Sequence, residues 1–553
     1  MNIKIPFFSL ILIICFNINV AFSVENNDSL EYGAIKCFNP FLNRLEHKKY
    51  QDKLLEDDVR PKRQKSYVSK SGYFLIHYDI EGEHKVDLTD IDKNGIPDYV
   101  DSTAIFCDEV FKAEIEEVGF IPPLKDTLGG NDKFDVYLTQ LTTDTTSIYG
   151  FTGLDYETIL SDKFIQGVCY IYIDNDYSIK DSIKVTESKK IPAYFTTGYE
   201  ALKITIAHEF HHAIQFAYGY TVIPSASLNE MYSTFMERLV YPNSKDYYQY
   251  FSDLMYAPIN YPFGLGEGKV GYRWSVFPEY LYKTGGNKLL RKVWELISNE
   301  NDGYTALDSS LIYNGSSLNE AWKDFMNYVY FTSTRAQGEK YLSNASELRK
   351  LTFSKSFNIG NIEQSHTDIL MPYQIVSYRV YVENSNSQKP SIVDFVISNY
   401  DSVSVKTQEL IPAEFNFIIS KEFLDGFQKI DGVELYYKII SDNNKVKAVT
   451  YVNEGILNNN SIFTFPQPYR MSKDEKISFS LVSDDIYETD AQIEVFDNEM
   501  LRIYNDKIKL SLESGYKSIN IMKEDLKKLG NGIFYYLITT ANSNYFGKFV
   551  IIN

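Results

Sequence analysis

The sequence predicts a multidomain fold, in which an α+β domain is followed by all-β sandwich domains. Three observations lead to this fold class. At 553 residues, the chain is longer than one hydrophobic core normally organises. Strand-like runs and helical patterns occur together up to about residue 355. From about residue 356, short strand-like runs are separated by turn residues, so we expect further domains at 356–460 and 461–553.

The elements of residues 67–355 follow from residue type and spacing. Runs rich in aromatic and β-branched residues predict strands at 73–78, 134–138 and 168–173. Apolar residues at helical spacing predict helices over 101–118 and 199–219, and more helices towards residue 350. This is an α+β pattern with a mostly helical second half. Beyond it, the run at 375–382 is typical of a sandwich strand.

Composition and charge exclude two classes of partner. Apolar residues make up 44% of the chain, which is enough for real hydrophobic cores rather than disorder. The formal net charge is −19. Nucleic acids and anionic membrane surfaces attract basic patches, so we expect neither of them as a partner.

The N-terminus predicts the compartment. Residues 1–23 combine an early Lys4 with an apolar run and end on Ala21-Phe22-Ser23, a small-residue cleavage site. This pattern is typical of a secretory signal peptide, and no other stretch is long and apolar enough to span a membrane. We expect a secreted or cell-surface protein, exported through the periplasm and without a transmembrane segment after cleavage. The cysteines that remain allow at most one internal disulfide: Cys37, Cys107 and Cys169.

The most informative local feature is the motif His-Glu-Phe-His-His at 208–212. On a helix, His208 and His212 lie on one face, so both imidazoles can bind one metal ion while Glu209 faces the water on that ion. Glu230, on the next predicted helix, is the candidate for the third protein ligand of a catalytic zinc site. The alternative, two core helices with incidental polar residues, is disfavoured because burying unpaired His and Glu is costly.

Two neighbouring residues carry open interpretations. His211 lies about 100° round the helix from His212, so we expect it on the surface or in an outer contact rather than on the metal. Glu237 follows Glu230 on the same helix face. It either orients a ligand histidine, as carboxylates behind metal ligands commonly do, or is a solvated helix residue.

The motif at 208–212, together with Asn229-Glu230 and the later Glu237, resembles the gluzincin metallopeptidases. The motif helix is more similar still to a group of secreted bacterial zinc metalloproteases. The resemblance covers about residues 67–350 and implies a gluzincin-like metallopeptidase domain at 67–355. The chain departs from the zinc aminopeptidases of this class in the spacing before Glu230 and in the residue after it.

The resemblance implies the roles of the site residues. His208, His212 and Glu230 would bind Zn²⁺, and Glu209 would be the general base that takes a proton from the metal-activated water and passes it to the leaving amine. A further donor is needed for the oxyanion, and Tyr272 is the candidate. Three other tyrosines compete with it: Tyr256, Tyr261 and Tyr280.

The expected activity is cleavage of a protein or peptide substrate by an endopeptidase. Zinc aminopeptidases of this class carry a Gly-x-Met-Glu-Asn segment, and residues 165–200 contain no such run. Two alternatives stay open. One is a surface binding protein built on an inactive peptidase fold, although all the motif residues are present. The other is hydrolysis of a non-peptide amide or ester, which the motif alone does not distinguish.

A second ion site is predicted earlier in the chain. Residues 90–101 place oxygen ligands at the positions of a calcium-binding loop, with Gly95 where such a loop turns sharply. The Asn-Gly-Ile-Pro-Asp core resembles the calcium loops of extracellular bacterial proteins, which implies a structural Ca²⁺. The alternative is an ordinary acidic turn. The expected ligands are Asp90, Asp92, Asn94, the carbonyl of Ile96, Asp98 and Asp101.

Residues 24–66 are interpreted as a linker or a propeptide. They end in a basic run at 60–65, which is either a processing site or part of a solvated linker, and the linker is favoured. A propeptide in which Cys37 blocks the zinc is a third possibility, but the residues around Cys37 give it no support.

The last ninety or so residues carry a second resemblance. Phe465-Pro466-Gln467-Pro468-Tyr469, followed by the runs at 532–537 and 547–552, resembles the C-terminal sorting domain of type IX secretion cargo. It implies a small β-sandwich at 461–553 that contacts the type IX secretion machinery. The alternative is an immunoglobulin-like module. Residues 356–460 are expected to form an accessory or spacer sandwich.

Overall fold

In the residues that the computed structural model describes, apolar side chains form three hydrophobic cores. The first is shared by a mixed sheet and the helices that follow it, and each of the other two lies between a pair of sheets. The structure describes residues 34–37, 60–126, 130–144, 146–160, 164–186, 189–222, 225–265, 268–299, 302–359, 363–382, 391–407, 409–454, 463–466, 468–481, 490–498, 501–513, 516–527, 529–540 and 544–552.

The first core is built on a seven-stranded mixed sheet. Its strands are β1 (Ala34–Cys37), β2 (Lys65–Val68), β3 (Phe74–Tyr78), β4 (Phe134–Thr139), β5 (Ser147–Leu160) and β6 (Phe164–Asp174), with the short β9 (Tyr220–Thr221), while β7 (Ser182–Lys184) and β8 (Lys190–Pro192) form a separate hairpin. The order is β1-β5-β6-β4-β3-β2, with β9 also paired to β6. At one edge, β1 runs parallel to β5, which is antiparallel to β6.

The helices cover this sheet and extend the same core. They are α1 (Asp98–Phe111), α2 (Gly198–Tyr218), α3 (Ser227–Val240), α4 (Tyr248–Tyr256), α5 (Gly268–Arg273), α6 (Val276–Ile297), α7 (Gly303–Tyr313) and α8 (Leu318–Tyr330). A π-helix, Lys112–Val118, continues α1 and ends at Gly119, whose φ of +85° is the left-handed conformation that glycine adopts without strain. The helices predicted over 101–118 and 199–219 are therefore confirmed.

The remaining strands form two sandwich-like pairs of sheets. The first pair contains β10 (Lys355–Ile359), β11 (Gln364–Leu370), β12 (Ile375–Val382), β13 (Ser391–Asn399), β14 (Ala413–Ser420), β15 (Gln428–Lys429), β16 (Tyr436–Ser441) and β17 (Val446–Glu454), with helix α9 (Ser402–Thr407). Its sheets have the orders β10-β12-β13-β17 and β11-β14-β16-β15. The side chains of Trp322 and Tyr330 on α8 hydrogen-bond Ser398 and Asp394 of β13, which ties this pair to the helices.

The second pair contains β18 (Phe463–Phe465), β19 (Tyr469–Arg470), β20 (Lys476–Leu481), β21 (Asp490–Phe496), β22 (Arg502–Lys509), β23 (Ser511–Glu513), β24 (Tyr516–Met522), β25 (Gly532–Thr540) and β26 (Asn544–Ile552), with helix α10 (Lys523–Leu526). The sheet orders are β18-β20-β24-β23 and β19-β26-β25-β21-β22. A mixed α/β, multidomain chain with sandwich-like sheets is thus confirmed.

Predicted strands agree closely with the observed ones. β3, β4 and β12 coincide with the runs at 73–78, 134–138 and 375–382 to within a residue or so, and β6 contains the run at 168–173. No helix in the described segments combines the length and apolar character that a membrane span requires. In the same segments, Cys37, Cys107 and Cys169 form no disulfide. The predicted signal peptide at 1–23 lies outside the described residues.

Candidate metal centre

The motif helix α2 packs against β5 and β6 of the sheet. Its residues from Ile204 to Tyr218 are buried. Gly150 of β5 makes the close approach possible, because a Cβ there would lie 2.7 Å from Cγ2 of Thr205 and 3.0 Å from Cγ of Glu209. The next inward residue, Thr152, donates its hydroxyl to Oε2 of Glu209 at 2.9 Å. Glu209 therefore faces the sheet edge, on a helix that packing holds in place.

Helix α3 brings the predicted third ligand to the two motif histidines. The Nε2 atoms of His208 and His212 are 3.1 Å apart. The two carboxylate oxygens of Glu230 lie 3.2 Å and 3.3 Å from these nitrogens. In a tetrahedral zinc site with ligands at roughly 2.0–2.1 Å, neighbouring donor atoms are separated by about 3.3 Å. The three predicted ligands therefore have the spacing that a zinc ion needs.

The outer contacts of the histidines set their tautomers. Nδ1 of His208 lies 2.8 Å from Oε1 of Glu237, and Nδ1 of His212 lies 2.7 Å from Oε1 of Gln215. The Gln215 amide nitrogen donates to the carbonyl of Asn229, so its oxygen faces the histidine. When the rings are neutral, both Nδ1 atoms thus donate outward, and both Nε2 atoms present lone pairs to the same point as Glu230.

Three converging lone-pair donors in a buried site are stable only if a positive charge lies between them. Burial lowers the pKa of His208, but hydrogen bonds to Glu230 and Glu237 and their negative charges outweigh it and raise that pKa to about 10. Burial raises the pKa of Glu230, but His212 and His208 outweigh it and lower that pKa to about 2. Without a metal, a proton on His208 provides the charge. A divalent cation at the same point would provide it directly.

Glu209 has the environment of a base. The side chain is fully buried, and burial, the largest effect, raises its pKa above the ordinary value. Oε2 accepts the hydrogen bond from Thr152, whereas Oε1 has no hydrogen-bond partner among the residues that the structure describes. One carboxylate oxygen is therefore positioned by the protein and the other is left to accept a proton.

Tyr272 lies on α5, beside the ligands. Its ring centroid is 6.1 Å from that of His208. Burial and the negative charge of Glu230 raise the pKa of its hydroxyl well above the ordinary value, so this hydroxyl stays protonated and can donate. The competing tyrosines make other contacts: Tyr256 lies against Arg349, Tyr261 against Arg273, and Tyr280 against Tyr328.

Cys37 also belongs to this cluster, contrary to the expectation from the residues around it. It is paired with Gly150 across β1 and β5, and its Sγ lies 3.6 Å from Oε2 of Glu209. Cys37, His208, His212 and Glu230 each offer a ligand atom, and these four atoms all lie within 4.8 Å of one another. The local sequence gave no support for a Cys37 contact because that contact is made by strand pairing.

Lys36 is a further residue of this site that the sequence did not indicate. Its Nζ lies 3.1 Å from Oε2 of Glu237 and 2.8 Å from Oδ2 of Asp246, and the side chain is 1% exposed. Of the two alternatives for Glu237, the solvated residue is excluded, because the side chain is buried: one of its oxygens faces His208 and the other faces Lys36. A lysine next to a cysteine carries no sequence signal for such a contact.

Two further residues differ in part from the expectation. Of the positions expected for His211, the surface is excluded: the side chain is buried, and its Nδ1 lies 2.6 Å from Oε2 of Glu114 on the π-helix. The basic run at 60–65 is only partly solvated: Lys62, Gln64 and Lys65 are exposed, but Arg60 is not. Arg60 pairs with Asp126 at 2.6 Å and also with Asp135 and Asp155 of the sheet. In both cases, buried acidic residues that are distant in sequence supply the partner.

The predicted calcium loop is assembled only in part. Asp90, Asp92 and Asp98 each bring one carboxylate oxygen within 4.8 Å of the others. Asn94 directs its amide nitrogen to Asp92 at 3.1 Å and to Asp101 at 2.7 Å, so its nitrogen rather than its oxygen faces these carboxylates. Gly95 has φ +89°, and the amide of Ile96 donates to Oδ1 of Asn94 at 2.7 Å. The sharp turn expected at Gly95 is present.

Comparisons with known proteins add little to this geometry. No family model and no curated protein matches the chain. Among solved structures, dimeric latent PorU from Porphyromonas gingivalis matches at 10% identity with a TM-score of 0.14, over 31% of this chain and 25% of PorU. A likeness this slight carries no argument about the fold or the function of this chain.

Proposed function

We propose that the chain is a zinc-dependent endopeptidase with a gluzincin-like first domain. The observation that carries this proposal is the convergence of the His208 and His212 Nε2 lone pairs with the carboxylate of Glu230, beside the buried Glu209. The spacing of these atoms fits Zn²⁺, and the donor set of two imidazoles and a carboxylate is one that catalytic zinc commonly uses.

Each residue has a distinct task in peptide hydrolysis. Zinc held by His208, His212 and Glu230 would lower the pKa of its water towards about 7 and polarise the scissile carbonyl. Oε1 of Glu209 accepts the proton of the attacking water and later delivers it to the leaving amine, while Thr152 holds Oε2. The Tyr272 hydroxyl donates a hydrogen bond to the oxyanion, a contact worth about 2.7–4 kcal/mol when such a donor is removed.

The outer residues hold the ligands in orientation. Glu237 accepts a hydrogen bond from Nδ1 of His208, and Gln215 accepts one from Nδ1 of His212. Ser233 lies 3.1 Å from Nδ1 of His212 and accepts a hydrogen bond from Gln215 at 3.2 Å. These contacts fix the rings before a metal arrives, which favours zinc binding because less ordering is needed when it binds.

Zinc binding tests this proposal directly. We expect the purified full chain to bind one zinc per chain, and we expect His212→Gln to weaken the affinity by more than about 100-fold, since losing an outer contact alone costs about 10–100-fold. Zinc would be measured by competition with a chromogenic chelator. The matched control is His366→Gln, a half-buried histidine of β11. A folded native chain that binds no zinc would overturn the proposal.

We also propose a structural Ca²⁺ at the loop of Asp90, Asp92 and Asp98, supported by the meeting of these carboxylates at a turn with the expected glycine. Calcium that binds only the folded state raises its stability by about 2.7 kcal/mol at a concentration 100 times its Kd. We expect added Ca²⁺ to raise the thermal unfolding midpoint of the native chain and not that of Asp90→Asn. Asp87→Asn is the control, and an equal response in all three chains would contradict the site.

For export, we propose that residues 461–553 act as the sorting domain that contacts the type IX secretion machinery. The support is the resemblance of the sequence, together with the paired sheets that the described residues form there. Together with the predicted signal peptide, this proposal implies a chain that is secreted or held at the cell surface.

A further inference from the structure

We propose that Cys37 is the fourth ligand of the zinc and that β1 is an internal inhibitory strand, so that the chain is latent until β1 leaves. This inference rests on the proposed zinc site. It adds to that site a residue from the N-terminal segment and a mode of regulation.

The position of the sulfur supports a metal contact. A catalytic zinc site has three protein ligands and keeps its fourth position for water or substrate. Sγ of Cys37 lies within 4.8 Å of the ligand atoms of His208, His212 and Glu230. It also lies 3.6 Å from Oε2 of Glu209, the carboxylate that would contact the water. Thiolate is a soft ligand that zinc accepts readily, so sulfur in this position would displace water.

The strand that carries the sulfur is held by a second, independent contact. The side chain of Lys36 is almost fully buried between Glu237 and Asp246. A buried lysine is costly unless it is paired, so its position between two carboxylates specifies where β1 lies. Thr196 donates to the other oxygen of Asp246 at 2.6 Å. Adjacent residues of β1 therefore reach the metal cluster and the carboxylate that orients His208.

Strand pairing fixes the register of these contacts. β1 occupies the edge of the sheet, with Cys37 opposite Gly150. A shift by one residue would turn Cys37 to the other face and remove Lys36 from its carboxylates. The register therefore places both side chains at the site, Cys37 beside Glu209 and Lys36 beside Glu237.

Occupation of the fourth position explains why the bound state would be inactive. When Cys37 binds zinc, its thiol gives up its proton, for which the adjacent Oε2 of Glu209 is an acceptor, and the sulfur lone pair goes to the metal. The fourth position is then filled, so no water can be activated there. When β1 withdraws, the sulfur regains a proton and water can take the fourth position. No oxidant or reductant is needed.

Thiol reactivity in the native full chain tests the inference without any substitution. Because the free thiolate is the nucleophile, we expect iodoacetamide to alkylate Cys37 at least about tenfold more slowly with zinc bound than after chelation. Mass spectrometry identifies the modified cysteine. With Co²⁺ in place of zinc, we expect a thiolate-to-cobalt charge-transfer band that is lost in Cys37→Ser. It should persist in the matched control Cys107→Ser, a buried cysteine of α1.

Casein cleavage supplies the functional comparison. Cys37→Ser should keep one zinc per chain and cleave casein on the order of tenfold or more faster than the native chain, because serine is a poor zinc ligand. Zinc bound with equal alkylation in both states would overturn this inference and leave the zinc site standing. Absence of zinc from the native chain would overturn the site itself. Zinc lost from Cys37→Ser would mark a structural four-ligand site and overturn latency.

Discussion

Replacing Glu209 by glutamine should lower kcat for casein cleavage by about 10²–10⁴-fold, the range that a positioned general base contributes, while zinc stays bound. Glutamine keeps the volume of the side chain and can keep the hydrogen bond from Thr152. It removes the carboxylate oxygen that accepts the proton. Because Glu209 is not among the proposed ligands, zinc affinity should change little compared with His212→Gln.

The measurement combines zinc content with kcat, in the native chain and in a Cys37→Ser background where the metal site is open. Glu200→Gln is a suitable control, since Glu200 lies in the first turn of the same helix, is partly exposed and pairs with Lys203. Undiminished cleavage by Glu209→Gln would mean that another group is the base. Loss of zinc would mean that Glu209 holds the site together rather than acting on the water.

The helical part of the site could be predicted because its information is local. His208, Glu209 and His212 lie within five residues of one helix, and helical spacing alone places both histidines on one face. Glu230 required one further step, from the motif helix to the next helix along the chain. Gln215, one turn beyond His212, could have been found by the same spacing.

The strand part could not be predicted in this way. Cys37 and Glu209 are 172 residues apart, and β1 is only four residues long. Which strand it joins and in which register depend on the folded β5, so no periodicity in the neighbourhood of Cys37 reports the contact. No sequence pattern therefore indicated that Ala34–Cys37, in the predicted linker or propeptide, forms an edge strand of the sheet.

Buried charge explains the other differences. A basic run is normally solvated, and a histidine off the metal face normally lies outside. In this fold, Arg60 meets Asp135 of the sheet, and His211 meets Glu114 where the α-helix has become a π-helix. The acidic partners are themselves buried. Such pairs form only in the folded chain, because their members are distant in sequence. The local sequence around a basic residue therefore does not reveal its acidic partner.

Substituting alanine for Gly271 should damage both the stability of the first domain and its zinc site. A Cβ at this position of α5 would lie 2.2 Å from the carbonyl oxygen of Ser227, 3.0 Å from the amide nitrogen of Met231 and 2.9 Å from Cβ of Glu230. In an α-helix, the amide of Met231 donates to the carbonyl of Ser227, so these two groups belong to the first turn of α3. The added carbon would therefore press on the turn that carries the third zinc ligand.

Since two backbones meet there, the clash cannot be relieved by a side-chain rotation, and overpacking of this kind costs about 1–3 kcal/mol and occasionally more. We expect a lower thermal unfolding midpoint and weaker zinc binding in Gly271→Ala. In the control Gly530→Ala, the new methyl group meets no atom within 4 Å. Unchanged stability would contradict the close packing of α5 on α3. Lower stability with intact zinc affinity would mean that α5 moves alone, so that Tyr272 is displaced while Glu230 stays in place.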